Sequence, residues 1–190
     1  MSLFHYIGSS SPLPLGERGS RKSTHDRSGN HEPLAIRFLS HQPMEGAVPL
    51  EQVIDLSWIQ EDRIAVYDKM ADAAGIYISE LGRESEAIRR HFQQPYVYGV
   101  GANMGGFHLN PGMKEWFPDE YEANVRCIQV LFDLFRETGE GNAWFELYSC
   151  WFDEEEEPGD ESLSTTIQLS SFEISEQFEL KHRQYIRIEQ

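Results

Sequence analysis

Asp119-Glu120-Tyr121-Glu122-Ala123-Asn124-Val125-Arg126-Cys127-Ile128-Gln129-Val130-Leu131-Phe132-Asp133-Leu134-Phe135-Arg136-Glu137-Thr138 is the stretch on which the fold turns. Tyr121, Val125, Ile128, Phe132 and Phe135 recur at helical spacing and share one face, and Cys127, Leu131 and Leu134 widen it. Pro118 and Asp119 suit the first turn, and Gly139 suits the end. A stripe this broad needs a wide apolar partner, and a sheet provides one.

The residues that follow supply strands. Phe145, Leu147 and Trp151 are in phase in one segment. Leu163, Thr165, Ile167 and Leu169 are in phase in a second, and Phe178, Leu180, Ile186 and Ile188 in a third. Alternation of this kind predicts one buried and one wet face, as in an antiparallel sheet. Lys181, Arg183 and Arg187 then fall on the wet face, opposite acids such as Glu146.

Upstream, Phe4-His5-Tyr6-Ile7, Arg63-Ile64-Ala65-Val66-Tyr67, Gly75-Ile76-Tyr77-Ile78 and Tyr96-Val97-Tyr98-Gly99-Val100 read as strands rich in β-branched and aromatic residues. Gly105-Gly106 reads as a turn, with Phe107-His108-Leu109 returning as the second arm of a hairpin. A short helix is expected at about 84–92, ending before Pro95. Val53-Ile54-Asp55-Leu56 suits either a helical turn or a strand. Residues 8–33 are Ser-, Gly- and Pro-rich without an apolar period and read as a long polar loop. The expected fold is α+β. It is a single domain over 1–190, a mainly antiparallel sheet packed by one long helix (about 119–138) and a shorter one (about 84–92). A β-meander from Trp144 to Ile188 closes it.

Composition narrows the function classes. Hydrophobic residues make up 39% and aromatic residues 12%, enough for a core and against wholesale disorder. No apolar run approaches the roughly 18 residues of a membrane span. The first residues lack the basic and apolar regions of a signal peptide, so a cytoplasmic location is expected. Cys127 and Cys150 lie in apolar segments and read as buried thiols. The net charge is −16 and unevenly distributed: residues 1–42 sum to +2, residues 43–190 to −18. From Glu137 to Leu180 there are 13 carboxylates and no Lys, Arg or His. Nucleic-acid phosphates would be repelled by such a body, whereas a basic protein matches it.

Catalytic motifs are weak or missing. Lys22-Ser23 resembles the end of a phosphate loop, but Arg21 replaces the glycine that lets backbone N–H groups wrap the phosphates. In Gly99-Val100-Gly101-Ala102-Asn103-Met104-Gly105-Gly106 the third glycine of a dinucleotide loop falls on Met104. No GxSxG elbow and no HxxxH or HExxH pair occurs among the seven histidines. His25, Asp26, His31 and Glu32 form the nearest thing to a ligand cluster, within the polar loop. No metal, cofactor or catalytic residue is assigned. Asp153, Glu154, Glu155, Glu156, Glu157, Asp160 and Glu161 crowd one segment with Pro158-Gly159 as its turn. Four adjacent glutamates do not make an EF-hand, so a solvated loop is expected.

Phe145-Glu146-Leu147-Tyr148-Ser149-Cys150-Trp151, the acidic loop and Phe178-Glu179-Leu180-Lys181-His182-Arg183-Gln184-Tyr185-Ile186 resemble a set of small uncharacterised proteins of Bacillus-type bacteria. Residues 1–7 and 95–98 share the likeness, which covers the chain in patches. The resemblance implies a cytoplasmic bacterial source and carries no activity. Two functions are expected, beside the plain reading that the acidity serves only solubility. The first is a non-catalytic binding protein, of immunity or inhibitor type, docking a basic protein on Asp153–Glu157, Asp160 and Glu161. The alternative is a small-ligand protein or unfamiliar enzyme whose pocket lies near the 99–108 hairpin, under the 8–33 loop, with Tyr98, Asn103 and His108 as polar contacts.

Overall fold

The computed structural model describes residues 2–29, 33–40, 58–82, 85–139 and 143–190. Its elements run β1 (Leu3–Ser9), β2 (Gly16–Arg18), β3 (Ala35–Phe38), β4 (Ile64–Tyr67), α1 (Met70–Ala73), β5 (Gly75–Glu80), α2 (Ser85–Arg89), β6 (Tyr96–Asn103) and β7 (His108–Leu109). There follow α3 (Pro111–Trp116), α4 (Pro118–Thr138), β8 (Trp144–Trp151), β9 (Thr165–Gln168), β10 (Phe178–Glu179) and β11 (Gln184–Glu189). Val53–Leu56, expected as a turn or strand, lie outside the described residues, as do His31, Glu32 and Glu84.

Seven strands form one sheet in the order β2-β5-β6-β1-β8-β11-β9. All neighbours are antiparallel except β9, which runs parallel to β11. The α+β class and the long helix across a mostly antiparallel sheet are as expected. The helix starts at Pro118 and ends at Gly139, whose N–H bonds the Phe135 carbonyl. Ala123, Cys127, Ile128, Leu131, Phe132, Leu134 and Phe135 are buried against Ile7, Ile76, Ile78, Val100, Phe145, Leu147, Ile186 and Ile188 of the sheet. Each of the Ile, Leu, Val and Phe side chains among these contributes about 1.5–3 kcal/mol on burial.

The C-terminal strands do not form a meander. The last strand, β11, inserts between β8 and β9, so the polypeptide passes the inner position before returning to fill it. The segment expected as one strand from Phe178 to Ile188 is broken at Arg183, which has a left-handed φ of 59°. Its first part, β10, leaves the sheet and pairs with β7. The 99–108 hairpin is also absent. Both edges of β6 are already paired, to β5 and to β1, so residues 107–109 have no free edge to return to.

The polar 8–33 segment is not structureless. Ser9 completes β1, and β2 pairs with β5. Beyond them Ser23 N donates to the Val66 carbonyl at 2.8 Å, and Val66 N donates to Asp26 Oδ1 at 2.8 Å. Short polar side chains here replace apolar packing with hydrogen bonds, which leaves no periodicity to read.

One wet face was expected for β8, yet Phe145 to Cys150 are buried on both faces. Tyr148 and Cys150 pack with Tyr6, Val97 and Ile88 under α2, on the side away from α4. Burial pushes the Cys150 thiol and the Tyr148 phenol up to about 12. Glu146 belongs to this second layer and is fully buried. Its carboxylate accepts hydrogen bonds from Gln93 N (2.9 Å), Gln94 N (2.9 Å) and the Tyr185 hydroxyl (2.5 Å). Burial first, and then the bonded Glu146 carboxylate, raise the Tyr185 phenol above its ordinary value. The facing residue on β1 is Gly8, where a Cβ would lie 2.5 Å from Glu146 Oε2. Arg187 is opposite Glu146 in register but does not neutralise it; its guanidinium lies 4.0 Å from the Trp144 ring centroid and bonds Glu189.

Glu146→Ala would orphan two backbone N–H groups and a phenol. The expected loss is about 3 kcal/mol in urea denaturation, while Glu156→Ala, on the exposed loop, changes stability by no more than about 0.5 kcal/mol. Equal effects from the two substitutions would contradict the buried role of Glu146.

Candidate functional site

Expulsion of β7 from the sheet opens a cavity. The β7–β10 pair stands off the α4 side of the sheet, held by Leu180 N donating to the Phe107 carbonyl at 3.2 Å. Rings anchor it: Phe172 stacks on Phe132 of α4 at 3.9 Å, and Phe178 meets Phe132 edge-on. Asn124 of α4 is buried and donates to the His108 carbonyl at 2.9 Å. Gly105 permits the turn between β6 and β7 to lie against α4, since a Cβ there would be 2.8 Å from Cys127 Sγ.

Between this flap and the sheet is a cavity of about 420 Å³. One wall is Leu3, Phe4 and His5 of β1; another is Val100 to Ala102 of β6; Gly105 to His108 and Glu179–Leu180 complete it. The volume falls within the range of small-molecule sites, and the walls are mainly apolar with a few polar groups. His5 Nδ1 lies 2.7 Å from the Ser149 Oγ of β8, its register partner. The Phe107 ring meets the His5 ring edge-on at 5.1 Å. These two contacts fix the orientation of the imidazole. Burial lowers its pKa from 6.5 to about 4, so it is neutral at physiological pH.

Of the three residues expected to line a pocket here, the structure brings only His108 to the cavity. The Tyr98 hydroxyl accepts from Leu13 N at 3.2 Å, and Asn103 Nδ2 donates to Glu17 at 2.5 Å. Those contacts tie the 8–33 segment to the sheet elsewhere, and no described residue of that segment lines the cavity. His5, Phe107 and Glu179 were missed. His5 carries a local signal, a polar residue in phase with Leu3 and Ile7 on an otherwise apolar strand face. Glu179 carries none, because its placement depends on the β7–β10 pairing.

The acidic segment is a second candidate surface, and it is tied down rather than loose. Glu155 and Glu157 carbonyls accept from the His91 ring (2.8 Å) and the Tyr148 hydroxyl (3.1 Å), and the Pro158 carbonyl accepts from Arg183 Nε (2.7 Å). Trp151 N donates to His182 Nδ1, and the Nε2 of the same ring lies 3.0 Å from Glu154 Oε2. Asp160 accepts from Ser162. Asp153, Glu156, Glu157 and Glu161 are exposed without an ion pair among the described residues.

Among the described residues no group of three His, Cys, Asp or Glu side chains is placed to hold a metal ion. Asp26, from the cluster considered above, accepts from Val66 and Ser28 instead. Lys22 of the phosphate-loop-like pair bonds Ser28 and the Gly29 carbonyl. No described helix is long and apolar enough to cross a membrane. No family model, no curated protein and no solved structure matches the chain.

The half-buried His5 makes stability depend on pH. The unfolded ring titrates near 6.5 and the folded ring near 4, so the unfolded chain takes up this proton first as pH falls. The contribution is complete above pH 6.5 and lost as pH falls through about 4. Urea denaturation between pH 7 and 4 should show the native protein losing up to about 3 kcal/mol more than His5→Gln over that window. Parallel curves for the two proteins would exclude it.

Proposed function

We propose that the protein binds a small molecule in the cavity between the β7–β10 flap and the sheet. The observation that carries this reading is the 420 Å³ space itself, with the oriented, neutral His5 ring on one wall and His108 on another. The space is an open cleft, with Phe4, His108 and Glu179 exposed at its rim, so a ligand can enter from solvent. The apolar walls supply desolvation, and the imidazoles supply direction.

A metabolite screen by thermal shift tests the reading. A true ligand at a hundredfold excess over its Kd stabilises by about 2.7 kcal/mol. That gain should be lost in His108→Ala and in Ala102→Leu, which intrudes from the β6 wall. It should persist in Asp153→Asn. Stabilisation that survives both cavity substitutions, or no stabilising compound at all, would remove the proposal.

A second reading is favoured by the fixed acidic loop. A flexible acidic tail serves solubility, whereas a loop pinned by hydrogen bonds presents Asp153, Glu156, Glu157 and Glu161 in a set geometry. On this reading the protein docks a basic protein partner. Capture from lysate at low salt, reversed at high salt and abolished by neutralising those four residues, is the expected outcome. Equal capture by the neutralised variant would count against it.

A further inference from the structure

Taking the cavity as a ligand site, we propose that its ligand is a cationic amine with a small apolar body, the ammonium group held by Glu179 and His108. Among the described residues twelve line the cavity, and none of them is Lys or Arg. A carboxylate or phosphate ligand would therefore find no counter-charge in the lining and would lie beside the Glu179 carboxylate. Glu179 is the one acid in the lining, and it makes no ion pair among the described residues. It is directly opposite His108 in the β7–β10 register, which puts the two Cβ atoms about 5 Å apart. No hydrogen bond to the His108 ring is made among the described residues, so the ring is open to a ligand beside the carboxylate. The Glu179 carboxylate thus offers a counter-charge, and the His108 ring stands beside it as a second polar group, a setting that suits an ammonium with several N–H bonds.

The rest of the lining agrees. Phe4 and Phe107 present aromatic rings, whose faces attract cations, and Leu3, Val100, Ala102 and Leu180 accept a hydrocarbon body. The net charge of −16 raises the local concentration of cations around the whole molecule and lowers that of anions. That field is general, however, and Glu179 is what would make the preference specific to this cavity.

Matched ligands on two bodies separate the charge class from the site. Phenethylamine, phenylethanol and phenylacetate, with their cyclohexyl counterparts, are titrated into the full-length protein, and binding is read from the His108 and His5 ring resonances. The amines should bind at least about tenfold tighter than the alcohols, and the carboxylates weakest. In Glu179→Gln, an exposed substitution expected to leave the fold intact, amine and alcohol should bind within about twofold of each other. Alcohols that bind as well as amines to the native protein would overturn the amine proposal and leave the cavity as a binding site. An amine preference that persists in Glu179→Gln would overturn the role of Glu179. If neither body perturbs the two histidines in any charge form, the cavity reading falls together with the amine proposal.

Discussion

The architecture depends on β1 pairing along both of its edges. This first strand sits in the middle of the sheet, antiparallel to β6 on one side and to β8 on the other. Tyr6 to Ser9 are buried because α4 covers one face and the α2 layer covers the other. Once β1 occupies the free edge of β6, the residues after Asn103 cannot fold back as a hairpin. They turn off the sheet through Met104, which takes a left-handed φ of 54°, and Gly105. The β7–β10 flap follows from that exclusion, and the cavity follows from the flap. Joining distant parts of the chain in this way costs loop-closure entropy, which the shared burial under α4 offsets.

The charge of the chain divides along the same lines. Glu146 lies within the block of 13 carboxylates between Glu137 and Leu180, yet it is a core residue. Its carboxylate holds the Gln93–Gln94 backbone and Tyr185 to the second face of the sheet. A buried carboxylate answered by three hydrogen bonds resists removal far more than an exposed one, since taking it away strands its donors. Asp153, Glu156, Glu157 and Glu161 are solvent-facing charges on a loop whose backbone is anchored. Glu179 is neither, standing at the cavity with no counter-charge. One acidic composition therefore contains three physically different populations of carboxylate.

The cavity has an unusual balance of polar groups for so charged a protein. The His5 imidazole is fixed from behind by Ser149, while Asn124 holds only the backbone of His108. Orientation supplied by the fold lowers the entropy lost when a ligand engages the His5 ring. The flap that carries His108 and Glu179 is secured through Phe172 and Phe178 to Phe132 on α4. Core packing and the candidate site are thus mechanically continuous.

Local periodicity was enough to reveal α4, with its cap at Gly139 and its face of Ile128, Leu131, Phe132 and Phe135. It also revealed the strands at β1, β4, β5, β6 and β8, and hence the α+β class. Those features depend on neighbours three, four or two residues apart, which the amino-acid order displays directly. Tyr98, Asn103 and His108 were all plausible polar contacts from the sequence, and only His108 reaches the cavity. The tertiary structure decided that, because Leu13 and Glu17 claim the other two. It also decided the insertion of β11 between β8 and β9, the burial of Glu146 and the meeting of His5 with Ser149, 144 residues away. Edge pairing between strands joins residues far apart in the chain and leaves no periodic trace in either partner. The sequence by itself therefore determined the elements, and the competition for strand edges determined the site.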